Sequence, residues 1–179
     1  LRQFVFLGGF CISKKTRLLS ISSVQYASGI RCDLEKIGCL CRSHSILFCV
    51  DAIQSLGAFN FDQKRIKADF VVADGHKWMM GPEGLAICYI KKSLIPTLTL
   101  HEFGWHMIQD KGQYDKQDWQ PAKDATRFEC GSPNMLGIHA LNASLGLIEK
   151  VGIPFIEDTL HDNVDLLIAK LQKIKGLEI

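Results

Sequence analysis

The chain has 179 residues, 47% of them apolar and 22% charged, and a formal net charge of +2 at neutral pH. That length supports one domain with a substantial core and is short for two, and the composition excludes a disordered segment. No basic run interleaved with stacking aromatics occurs, and no apolar stretch reaches the roughly 18–20 residues of a bilayer span, so nucleic acid and membrane are set aside as partners.

Seven cysteines, at positions 11, 32, 39, 41, 49, 88 and 130, form an odd set lying mostly inside apolar runs. They read as buried, reduced thiols of a cytoplasmic protein and not as a disulfide framework. Cys39-Leu40-Cys41 lacks the C-x-x-C spacing of zinc or redox sites, so no metal is expected.

Segment 1–14 is uninterpretable. The chain does not start with Met, which points to a fragment or a processed product. Phe4–Phe10 is too short to span a membrane and lacks the basic start and cleavage site of a leader. Gly8-Gly9 reads as a turn; a phosphate cradle there would need a framing strand and helix, which the pattern does not supply.

Arg17–Val24 has the β-branched character of a buried strand, followed by a loop at Tyr26–Gly29. Asp33 can cap a helix whose apolar positions Leu34, Ile37 and Cys41 recur at three and four residues. Ile46–Val50 is the next strand, so the unit is β-loop-α-β and favours a parallel pair. A short helix is expected at Ala52–Leu56 and a weak one around Lys64, before a third strand at Phe70–Ala73. Such continuous apolar runs suit strands buried on both faces. Gly81-Pro82-Glu83-Gly84 is a tight turn, and Leu85–Ile90 a fourth strand made antiparallel by the short link.

From Lys91 to Arg127 the periodicity fades into a long loop of the kind that is usually functional or interfacial. Ser132 with Pro133 is a helix-start signal, and the helix is expected to bury Leu136, Ala140, Ala143 and Leu147. Gly152 ends it. Pro154 opens a longer helix with Ile156, Leu160, Val164, Leu167, Leu171 and Ile174 on one face, closed by Gly176.

In an open parallel sheet, ligands sit beyond the carboxyl ends of the strands. Tyr26, Asp51 and Asp74–Lys77 fall there on three consecutive strands, about 4.8 Å apart from strand to strand. Each has a plain reading. Lys77 could be a solvated loop lysine, Asp51 a helix cap, Gln54 a polar helix residue and His76 a structural histidine. Ser132 could be a cap, although a hydroxyl at a helix N-terminus is also a phosphate site. Together, a carboxylate closing one strand and a lysine just past the next match the needs of pyridoxal phosphate (PLP). The lysine forms a Schiff base and the carboxylate keeps the pyridine nitrogen protonated. Trp78, Met79 and Met80 read as packing.

Val50-Asp51-Ala52-Ile53-Gln54-Ser55-Leu56-Gly57 is followed by Ala73-Asp74-Gly75-His76-Lys77-Trp78 and Gly81-Pro82-Glu83-Gly84. With Ser23–Gly29 before and Arg127–Asn134 after, this series closely resembles the class V aminotransferase family, which includes cysteine desulfurases, selenocysteine lyases and kynureninase. The resemblance covers about residues 15–175. It implies an α/β fold: part of the large domain of a fold type I PLP-dependent transferase, mostly parallel with flanking helices and one antiparallel strand. It makes Lys77 the Schiff-base lysine and Asp51 the partner of the pyridine nitrogen, with Gln54 and His76 contacting the cofactor. Ser132 would reach the phosphate of the partner subunit's cofactor, implying a homodimer with shared active sites and an amino-acid substrate. Gly104-Trp105 resembles a loop near the dimer interface.

The departures are informative. Desulfurases carry Asn near Tyr26, and Val24-Gln25-Tyr26 is nearer to kynureninase and epimerase-like members. Asp74 stands where many relatives carry a Ser or Thr that holds phosphate. The family's phosphate-binding turn, stacking ring and substrate-binding arginine have no counterpart here, and none of the cysteines aligns with the desulfurase nucleophile. The expected organisation is therefore the C-terminal part of the PLP-binding large domain over 15–153, then a long helix over 154–179 leading into a truncated small domain. Weak cofactor binding and little turnover are expected of the isolated chain. The alternative is a non-catalytic remnant or a dimerising module.

Overall fold

The computed structural model describes residues 12–178. Four strands, β1 (Leu18–Ser22), β2 (Leu47–Asp51), β3 (Phe70–Asp74) and β4 (Ala86–Ile90), form one sheet in the order β1-β2-β3-β4. The first two pairings are parallel and β3–β4 is antiparallel, as the short Gly81–Gly84 link requires. The Gly8-Gly9 turn lies outside the described residues.

Helix α1 (Leu34–Ser43) starts where expected: Asp33 accepts from the Lys36 amide at 3.1 Å. Its inner face sets Leu34, Ile37 and Cys41 against Phe48, Val50, Val71 and Ala73. The weak helix near Lys64 is α2 (Gln63–Ile66), capped by Asp62. Ala52–Leu56 is not a regular helix: Ser55 and Leu56 both donate to the Ala52 carbonyl and the chain continues in turns. Asp51 thus caps nothing beyond the Ile53 amide.

Burial of the strands on both faces is not observed. Register places Leu19, Ile21, Phe48, Val50, Val71 and Ala73 on one face, which is packed. Ser20, Ser22, Cys49, Asp51, Phe70, Val72, Asp74 and Cys88 share the other. That second face is open: Leu18 is 51% exposed and Val72 38%. Helices α1 and α3 both feed the core on the packed face, while Ser22, Cys49, Asp51, Phe70 and Asp74 on the other are only partly buried.

Helix α3 (Met135–Val151) is capped by Asn134, whose side chain accepts from the Gly137 amide at 3.0 Å, and not by Ser132. Its buried stripe is Gly137, Leu141 and Ile148, while Leu136 and Leu147 are exposed. The helix is apolar on more than one face, so two stripes fit a 3–4 spacing and the sequence pattern picked the outward one. Gly152 ends α3 and opens α4 (Ile153–Leu171), which has Pro at its first turn and no fully buried residue. It is tied to the sheet domain by Glu157, which accepts from Arg31 and from the Asn60 amide, each at 2.8 Å.

Among the described residues, no helix is long and apolar enough to cross a membrane. No cluster of His, Cys, Asp or Glu there could hold a metal.

Candidate active site

Asp51 is the last residue of β2 and rises from the C-terminal rim of the open sheet face. Its strand neighbour Ser22 donates to Oδ2 at 3.1 Å, and the Ile53 amide donates to Oδ1 at 3.0 Å. Two donors fix the carboxylate's orientation, and each oxygen keeps a lone pair for a further donor. Beneath it, the Ser23 and Ser55 hydroxyls meet at 2.7 Å in a buried contact that ties the ends of β1 and β2 together. The sequence reading passed over Ser22; its signal is the register alone, a hydroxyl ending the strand beside the Asp51 strand.

Lys77 sits on a closed loop after β3. Gly75 donates to the Leu85 carbonyl and its own carbonyl accepts from Gly81, while Met80 donates to the Lys77 carbonyl. Met79 pins this loop into the core, 3% exposed; Trp78 and Met80, expected to pack, are instead exposed. The loop also leans on the turn after Asp51. A Cβ on Gly57 would lie 2.4 Å from the Trp78 carbonyl oxygen, so only glycine allows this approach. The motifs around Asp51 and Lys77 are therefore locked together through backbone, and Lys77, half-buried as a residue, makes no ion pair among the described residues.

Next to it, His76 Nδ1 lies 2.9 Å from Asp74 Oδ1. The imidazole beside Asp74 holds that carboxyl below the usual carboxylate range, outweighing a small desolvation. Gln54 is half-buried in the turn after Asp51. Tyr26 is 82% exposed, on a loop closed by the Val24–Arg31 bridge. Ser132 is exposed in the connection before α3 and makes no hydrogen bond to Asp51, Gln54, His76 or Lys77.

Two concavities flank this shelf without including it. One, about 500 Å³ and apolar, lies between Leu56, Gly57, Met79, Ile87 and the α3–α4 junction. The other, about 370 Å³, is lined by Ser23, Arg31, Asp33, Ser55, Phe59 and Arg65. Asp51, Gln54, His76 and Lys77 line neither. They stand on an open rim.

Residues 10–179 match the aminotransferase class-V family, and the chain belongs to it. It is 30% identical over 168 residues to a "Probable cysteine desulfurase" of Borreliella burgdorferi, an alignment covering 93% of this chain and 40% of that protein. The apo structure of a cysteine desulfurase from Thermococcus onnurineus NA1 superposes with a TM-score of 0.80 at 31% identity, over 89% of this chain and 39% of that one. A C-DES mutant with glycine covalently linked to its PLP cofactor shares the fold with a TM-score of 0.82 at 24% identity, over 92% and 43%. The chain thus spans about 40% of the length of the relatives it matches. The likeness to desulfurases holds despite Tyr26.

Proposed function

We propose that this chain is the C-terminal part of the PLP-binding large domain of a class V enzyme acting on an amino acid, in the manner of an aminotransferase or a cysteine desulfurase or lyase. The boundary at 153/154, with α4 leading into a small domain, belongs to this reading. PLP, when bound, supplies an electrophilic aldehyde and an electron-withdrawing ring.

The donor set fits that group. Asp51 is oriented by Ser22 and the Ile53 amide with acceptor capacity to spare, which suits a protonated ring nitrogen. Lys77, next to His76 in the chain, offers an amine with no ion pair among the described residues, and would hold the aldehyde carbon and move a proton to or from the substrate. Gln54, in the turn after Asp51, would contact the ring. Ser132, exposed and not hydrogen-bonded to the others, would serve the phosphate of a second subunit's cofactor in a homodimer. The observation that carries the reading is the backbone lock between the Asp51 turn and the Lys77 loop at Gly57.

The second reading, a non-catalytic remnant or dimerising module, is favoured by the open sheet face and by the outward stripe of α3. Titrating PLP into the chain and into Lys77→Ala and Asp51→Ala separates the two. The proposed function expects a visible absorbance band of bound PLP that is lost in Lys77→Ala and weakened at least about tenfold in Asp51→Ala. A band of equal strength in all three would leave the remnant reading standing.

A further inference from the structure

Asp74 ends β3 on the same open face as Asp51. Its side chain is 39% exposed overall, yet Oδ1 is sealed from solvent. His76 Nδ1 lies 2.9 Å from that oxygen, with the His76 and Gly75 amides also near the carboxylate, although among the described residues no aligned donor satisfies Oδ1. A sealed carboxylate oxygen without a donor is costly, and a small rotation of the His76 ring is the local way to supply one.

We propose that Asp74 is a positioning residue for His76, holding the imidazole beside Lys77 as the Nδ1-protonated tautomer. The neutral ring then presents Nε2 as an acceptor, suited to a hydroxyl donor. A phosphate needs a donor and is disfavoured beside the Asp74 carboxylate. The end of β3 is therefore a place for a hydroxyl-bearing edge of the ligand and not for its phosphate. The purpose of the pair rests on the cofactor reading above; its geometry does not.

The test needs no cofactor. Two-dimensional ¹⁵N–¹H spectra of the imidazole rings, recorded above the histidine titration, report which nitrogen of His76 carries the proton. The full chain is expected to show Nδ1–H. Asp74→Asn keeps an acceptor oxygen in place and keeps that form. Asp74→Ser shortens the side chain and shifts the Nδ1–H to Nε2–H ratio by about tenfold or more, the size of a lost charge-assisted hydrogen bond. Backbone amide spectra confirm that β3 remains paired with β4, since that ladder uses no side chain. An Nε2–H ring in the unaltered chain, or an unchanged ratio in Asp74→Ser, would overturn the proposal. Failure of Lys77 to take up PLP would instead sink the functional reading and leave the tautomer result intact.

Discussion

Replacing Gly57 by Ala tests the lock between the two motifs. Gly57 has φ +95°, outside the regions open to a residue with a Cβ, and that alone costs about 1–2 kcal/mol. The new Cβ would also lie 2.4 Å from the oxygen and 2.6 Å from the carbon of the Trp78 carbonyl, both backbone atoms that yield only if the Lys77 loop moves. Overpacking of this kind costs about 1–3 kcal/mol more, so a loss of about 2–5 kcal/mol is expected. Gly84 is the control: its φ is +79° and a Cβ there meets nothing within 4 Å, so Gly84→Ala should show the backbone term alone. Urea unfolding at constant m-value measures both. The loop displacement should also weaken PLP uptake by Gly57→Ala more than by Gly84→Ala. Equal destabilisation of the two variants, with equal PLP uptake, would refute the lock.

Three further outcomes follow from the same contacts. Asp69 is 2% exposed and accepts from the Phe48 amide at 3.0 Å and from Arg42 and Lys91 at 3.3 Å each. Asp69→Ala should cost about 2–3 kcal/mol in urea unfolding, because the two cations can return to water and the buried amide cannot. At Glu157, burial raises the carboxyl's pKa, but the Asn60 amide and Arg31 together lower it below its ordinary value. Its stabilisation is therefore complete above the unfolded glutamate pKa of about 4.3 and fades as pH falls through the lower folded value. Glu157→Gln should lose about 1–2 kcal/mol at pH 7, with the gap to the parent closing only in acid. Asn134→Ala should cost about 1 kcal/mol as a lost cap, and Ser132→Ala less than about 0.5 kcal/mol, by thermal or urea unfolding.

The strands and their directions were legible because buried β-branched runs and a Gly-Pro-Glu-Gly turn carry their own signals, as in β2, β3 and the β3–β4 link. The cap at Asp33 was legible for the same local reason. What failed was global. Leu136 and Leu147 follow a helical spacing as well as Leu141 and Ile148 do, and only the position of the sheet decides which stripe turns inward. Burial on both faces was read from composition, but whether a face is covered depends on chain that does not lie next to the strand. Within the candidate site, Asp51 and Lys77 stood out by type and spacing. Ser22 and the steric role of Gly57 did not, because each acts through a neighbour distant in sequence, Asp51 and Trp78 respectively.

The central claim is that Lys77 is the amine that captures PLP. Incubating the chain with PLP, fixing the adduct with borohydride and mapping the labelled peptides by mass spectrometry tests it directly. The account predicts label concentrated on the peptide that carries Lys77, even where binding is weak, since the Lys77 loop meets the Asp51 turn at Gly57 and Lys77 makes no ion pair among the described residues. Label spread evenly over exposed lysines such as Lys36, Lys64 and Lys92, with none preferred at Lys77, would contradict it.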